Sequence, residues 1–152
     1  DELARDMAET MYAAPGVGLA ATQVGVHQRV IVLDVDQEDP GKNLFTLINP
    51  VIAEREGTIV WDEGCLSVVD YTAEVRRSAQ VLVRAWTVDQ KEVEIEADRL
   101  LAVALQHEID HLDGRLFIDR ISALKRDLYR RKIKKMIRDG IPIEPKKPRV
   151  SI

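Results

Sequence analysis

Two of the three histidines in this chain, His107 and His111, stand four residues apart with Glu108 between them. On a helix that spacing projects both imidazoles from one face, close enough to share a metal ion. The carboxylate beside them can act as a base without being a ligand. Two histidines on an apolar face can also be ordinary core residues. Packing alone explains this set poorly, because a carboxylate and two imidazoles buried without partners would cost several kcal/mol. The His-Glu-x-x-His pattern therefore predicts a metal site that needs a further ligand from elsewhere in the chain.

The candidate third ligand is Cys65, the single cysteine. A free cysteine is most often a small buried hydrophobe. With two imidazoles, however, a thiolate completes a three-ligand set whose fourth position stays open to water, the arrangement of catalytic rather than structural sites. Asp119 and Asp127 are carboxylate alternatives, the latter on a strongly basic segment. The longer protease pattern requires a histidine three residues after Gly114, and Phe117 stands there instead.

These side chains need elements to hold them. Asp98 to Gly114 reads as a helix, with Asp98 as N-cap, good helix formers from Leu100 to Leu105 and Gly114 as a left-handed stop. Leu100, Ala104, His107 and His111 form its inward stripe. An opening helix carries Leu3, Met7 and Met11 at four-residue steps and should end near Ala14, before Pro15. Gly16 to Gly25 reads as a small, almost uncharged loop with one amide, Gln23. No Gly-Lys-Ser/Thr follows it, so it is not a phosphate-binding P-loop.

Strands are expected at Arg29–Val35, Leu44–Ile48, Thr58–Trp61, Val75–Arg77, Val81–Trp86 and Glu92–Glu96. Asn49-Pro50 should stop the second, and the last turns Val93 and Ile95 inward. Ser122 should cap a final helix over 122–138, docked through Leu124, Leu128, Tyr129, Ile133 and Met136. Strands bracketed by helices imply an α+β fold, with a mostly antiparallel sheet packed around the central histidine-bearing helix.

A chain of 152 residues, 45% hydrophobic, suits one domain over 1–152. It lacks the run of about 18 apolar residues that a membrane helix needs, and a single cysteine suits a reducing cytosol. The net charge of −4 conceals an asymmetry: residues 121–152 hold 11 Lys+Arg against 3 Asp+Glu, on an otherwise acidic body. Such a run is commonly a solvated face, and its functional alternative is an anionic partner such as phosphate backbone. The chain opens inside a helix, so a natural start is expected upstream.

Three stretches together carry a family resemblance. Gly16-Val17-Gly18-Leu19-Ala20-Ala21-Thr22-Gln23, Glu63-Gly64-Cys65-Leu66-Ser67 and His107-Glu108-Ile109-Asp110-His111-Leu112-Asp113-Gly114 resemble the signature motifs of peptide deformylase, in the family's order and at similar spacings. Two features depart from the family's pattern: further residues usually precede this start, and Val69 stands where proline is common.

The resemblance implies hydrolytic removal of the formyl group from the N-terminal formyl-methionine of nascent polypeptides, in the cytoplasm of a bacterial-type cell or an organelle. It implies one divalent ion on Cys65, His107 and His111, with Fe2+ first and Zn2+, Ni2+ or Co2+ as replacements; ligand chemistry alone would favour zinc. Glu108 would be general base and then acid, while the Gln23 amide and the Leu66 N–H stabilise the oxyanion. Gly18 would let substrate backbone lie close and Val17 would border the methionine pocket. Helix geometry adds Leu100 and Val103 to that pocket. The basic last helix would contact ribosomal RNA, and the protein is expected to act as a monomer. The alternatives are a His-Glu-x-x-His metallopeptidase and a non-catalytic metal- or ribosome-binding homologue.

Overall fold

In the computed structural model, which describes residues 1–36 and 38–143, helix α1 spans Glu2–Ala13 and is followed by strands β1 (Gly18–Ala20), β2 (Val30–Leu33) and β3 (Phe45–Glu56). Strands β4 (Ile59–Cys65), β5 (Val68–Arg77), β6 (Gln80–Trp86) and β7 (Glu92–Asp98) come next. Helices α2 (Arg99–Leu112) and α3 (Ala123–Arg138) complete the order, with 3₁₀ turns at Ala21–Val24 and Phe117–Arg120. All strand pairs are antiparallel: five strands in the order β1-β2-β3-β6-β7, and β4-β5 as a separate hairpin. The expected α+β architecture is what the chain adopts.

β2 is buried on both faces, as its unbroken apolar run requires. Val30 and Val32 meet Met7 and Met11 of α1, while Ile31 and Leu33 meet α2. Helix α2 is more enclosed than its expected inward stripe implied, since every residue from Ala102 to His111 is buried. The sheet lies along one side, β1 with its following 3₁₀ turn along another, and the β4-β5 hairpin with Phe117 closes over the histidines.

Several expectations need correction. Part of the expected loop, Gly18–Ala20, is an edge strand hydrogen-bonded to β2, because residues this small let the backbones approach. Asn49-Pro50 does not end its strand: Asn49 takes φ 50°, the register slips between Ile48 and Val51, and that bulge accommodates the proline. Thr58–Trp61 and Val75–Arg77 do not continue the main sheet but pair in the hairpin. Asp98 precedes α2 in extended backbone without any side-chain cap bond. Leu124 and Leu128 face solvent, so α3 docks through Tyr129 and Ile133 alone of the expected set, with Met136 half-buried. Ser122 does cap α3, accepting from Lys125 N at 3.3 Å. The basic residues Lys146, Lys147 and Arg149 lie outside the described residues.

The C-terminus of α2 must end cleanly, since His111 occupies its last turn. Gly114, at φ 73°, turns the chain so that its own N–H donates to His111 O at 3.1 Å and the Arg115 N–H donates to Asp110 O at 2.8 Å. Gly114→Ala places a Cβ in that left-handed conformation and is expected to lower unfolding free energy by about 1–2 kcal/mol. Urea denaturation of the metal-free protein measures it, and an unchanged midpoint would contradict the turn's role.

Candidate metal centre

Cys65 ends β4, just past a register shift between Gly64 and Cys65 that re-aims the strand as the hairpin turns. Its sulfur stands 3.2 Å from His111 Nε2, and His111 Nε2 stands 3.2 Å from His107 Nε2. The three donor atoms lie within 4.8 Å of one another and all three residues are buried. Asp119 and Asp127 stand outside this cluster. Asp119 caps the 3₁₀ turn by accepting from Leu116 N at 2.9 Å, and Asp127 is exposed on α3.

Four groups missing from the expected site surround the triad. His107 Nδ1 faces Glu63 Oε1 at 2.8 Å, and Glu63 is gripped by Arg77 through Nε and Nη2, both at 2.9 Å. Arg77 Nη1 donates to Asp110 Oδ2 at 2.6 Å, and Asp110 also accepts two hydrogen bonds from Arg120. Strand alternation carried a signal for two of them. Glu63 shares a face with Trp61 and Cys65, and Arg77 shares one with the buried Ala73 and Val75. Phe117, excluded as a ligand, stacks on the His107 ring with centroids 6.2 Å apart.

Charge balance at the triad favours a cation. Burial opposes protonation of His107, yet hydrogen bonds to Cys65 and Glu63 push its pKa up to about 10. Burial and the positive charge of His107 together push His111 down to about 4. Glu108 lies alongside, 1% exposed, and burial raises its carboxyl to about 7. Its Oε2 is buried without a hydrogen-bond partner among the described residues. A soft sulfur donor, two imidazoles and an orphaned carboxylate oxygen beside them fit a divalent ion with a water ligand.

The remaining expected residues converge from β1 and the hairpin. Gln23 Oε1 accepts from Ala20 N at 2.9 Å, which turns its Nε2 toward the hairpin, 3.0 Å from Ser67 Oγ and 3.8 Å from Cys65 Sγ. Leu66 is half-buried above Gly16. Gly18 meets Glu108 so closely that a Cβ there would stand 2.6 Å from Oε1. Val17, Leu100 and Val103 belong to the main apolar cluster together with Trp61.

The model of the polypeptide deformylase family matches residues 1–127, which include all three donor residues and Glu108. The chain belongs to the peptide deformylase family. It is 54% identical over 139 residues to a peptide deformylase of Syntrophobacter fumaroxidans, covering 91% of this chain and 82% of the relative. Among solved structures it resembles a peptide deformylase of Legionella pneumophila at 43% identity, with a TM-score of 0.81 and coverage of 91% and 81%. An Ehrlichia chaffeensis peptide deformylase in complex with actinonin matches at 42% identity and a TM-score of 0.81, over 90% and 83% of the two chains. The protein is accordingly a metal-dependent deformylase acting on formyl-methionyl nascent peptides.

Burial of Glu63 and Asp110 opposes their charge, but hydrogen bonds from His107 and Arg77 to the first and from Arg120 and Arg77 to the second leave both pKa values below normal. Depressed carboxylates contribute stability above their unfolded values, near about 4, and lose it as pH falls through the folded ones. Urea unfolding of metal-free deformylase should therefore weaken progressively as pH drops below the unfolded carboxylate values. Glu63→Gln should flatten that slope as well as lower stability at neutral pH; a slope identical to the parent protein would refute the assignment.

Proposed function

We propose that Cys65, His107 and His111 hold one divalent ion, ferrous iron first and zinc, nickel or cobalt as replacements, and that the surrounding residues hydrolyse the formyl amide. The single observation that carries this reading is the convergence of the Cys65–His107–His111 donor set on Glu108, whose buried Oε2 lacks a partner among the described residues. When bound, the ion supplies Lewis acidity, which polarises the formyl oxygen and brings the pKa of a water toward about 7.

Glu108 takes the proton from the attacking water at its carboxylate and delivers it to the departing amine nitrogen, as base and then as acid. Its raised pKa suits both halves of that task. The Gln23 amide and the Leu66 backbone N–H donate to the formyl oxygen as charge develops there. The Ala20–Gln23 bond supports this by aiming the donor end of the amide toward Cys65. Loss of one such donor commonly costs roughly 2.7–4 kcal/mol. Val17, Leu100 and Val103 form the wall against the methionine side chain, consistent with their shared apolar cluster. Gly18 leaves the space that the Glu108 carboxylate fills and keeps the strand edge open to the peptide.

The chain works as one domain and as a monomer, in the cytoplasm of a bacterial-type cell or in an organelle. No helix among the described residues is long and apolar enough to cross a membrane. The outer face of α3 carries Arg130, Arg131, Lys134, Lys135 and Arg138, all exposed, with Leu124 and Leu128 exposed on the same helix. That composition supports docking on ribosomal RNA phosphates beside the emerging chain.

Formate release from a formyl-Met peptide by anaerobically prepared, iron-loaded protein tests the chemistry. Glu108→Ala should lower the rate by about 10²–10⁴ with metal content retained. Gly18→Ala should lower kcat more than it raises KM, because its new Cβ displaces Glu108. Internal peptide-bond cleavage in place of formate release would favour a peptidase, and an unimpaired Glu108→Ala enzyme would remove that residue from the reaction.

Docking is tested separately. Arg130→Glu, Arg131→Glu and Lys134→Glu combined should abolish co-sedimentation with ribosomes at low salt while short-peptide turnover stays intact. Unchanged co-sedimentation would exclude α3 as the contact.

A further inference from the structure

An unbroken chain of charged side chains runs from the protein surface to one donor of the triad. Arg120, in the 3₁₀ turn that leads into α3, grips both oxygens of Asp110. Asp110 Oδ2 also accepts from Arg77 Nη1, the remaining guanidinium nitrogens hold both oxygens of Glu63, and Glu63 Oε1 faces His107 Nδ1. Side-chain exposure falls inward along this series: 32% for Arg120, 9% for Asp110, 2% for Arg77 and 0% for Glu63. The charges alternate in sign, so Asp110 lies between two guanidinium groups and Arg77 between two carboxylates.

Burying the three charges of Glu63, Arg77 and Asp110 is a poor way to gain stability, since well-packed apolar residues commonly do as well or better. Such a chain does define geometry. A guanidinium is a rigid planar fork, and here one fork spans β4 and α2, so Arg77 sets the distance between Glu63 and Asp110. Asp110 is itself held by a second fork from beyond the helix. Glu63 consequently cannot retreat from His107 Nδ1 without breaking Arg77 away from Asp110. An acceptor at Nδ1 fixes the tautomer that leaves Nε2 free to ligate, and it fixes the ring plane.

We propose that Arg77, Asp110 and Arg120 are positioning residues, which hold Glu63 against His107 and thereby set how tightly and in what geometry the triad grips its ion. This inference rests on the reading of Cys65, His107 and His111 as the metal ligands. The influence should weaken outward, because Arg120 is partly solvated and water can replace part of its contribution.

Cobalt(II) serves as the probe, since its visible absorption reports ligand geometry. Protein loaded with cobalt is mixed with excess chelator, and release is timed for the parent protein, Arg77→Lys, Asp110→Asn, Arg120→Gln and His107→Ala. Asp110→Asn and Arg77→Lys should release cobalt on the order of 10-fold faster and shift the absorption bands, with Arg120→Gln intermediate. If the folded Asp110 and Arg120 variants release cobalt within roughly twofold of the parent and keep its spectrum, the chain is merely structural and the proposal fails. Should Asp110→Asn not fold, Arg120→Gln at the surface decides by the same two readouts. A His107→Ala protein that holds cobalt as tightly as the parent would instead overturn the underlying ligand assignment.

Discussion

Burying the polar end of α2 is the constraint to which the rest of the structure answers. Gln106, His107, Glu108, Asp110 and His111 are all at or below 6% exposed, on a helix enclosed from every side. Each polar group removed from water needs a partner or costs free energy. Gln106 is satisfied by Ser78 and Ala102, His107 by Glu63, and Asp110 by two arginines. The β4-β5 hairpin, separate from the main sheet, delivers Glu63, Cys65 and Arg77 to that end of the helix from one short stretch of chain. Its independence from the five-stranded sheet allows it to fold over the histidines.

Against this background of satisfied groups, Oε2 of Glu108 is buried beside the triad without a partner among the described residues, as is Nε of Arg126 on α3. Burial raises the pKa of this carboxyl to about 7, while the positive charges of His107 and Arg77 act to lower it. The close approach of Gly18 fixes where the carboxylate can sit. The 3₁₀ turn after β1 and the turn after β4 bring the Gln23 amide within 3.8 Å of Cys65 Sγ and 3.0 Å of Ser67 Oγ. The solved peptide deformylases from Legionella pneumophila and Ehrlichia chaffeensis align over about nine-tenths of this chain.

The amino-acid sequence by itself determined the donor types and their local spacing: two histidines on one helical face, a carboxylate between them, and one cysteine with no disulfide partner. It also determined α1, β2, β6, β7, α2 and α3 to within a few residues, because amphipathic period, glycine stops and the Ser122 cap are local properties. It left Gly18–Ala20 looking like a loop, since small residues carry little strand preference until a neighbouring strand supplies the hydrogen bonds. It likewise overread Pro50 as a stop, because a bulge depends on the partner strand.

Tertiary structure alone decided which carboxylates and guanidinium groups surround the cysteine and histidines. Alternation hinted that Glu63 and Arg77 face inward, but whether they meet each other or Asp110 depends on how the hairpin lies on α2, a relation between segments 33 residues apart for Arg77 and Asp110. Docking also divided the residues expected to hold α3: Leu124 and Leu128 were left in solvent while Tyr129 was buried against the hairpin, its hydroxyl donating to Val69 O at 3.0 Å. Local patterns state what a segment can bury. The partner surface chooses which face is buried, because desolvation is gained only where another surface fits.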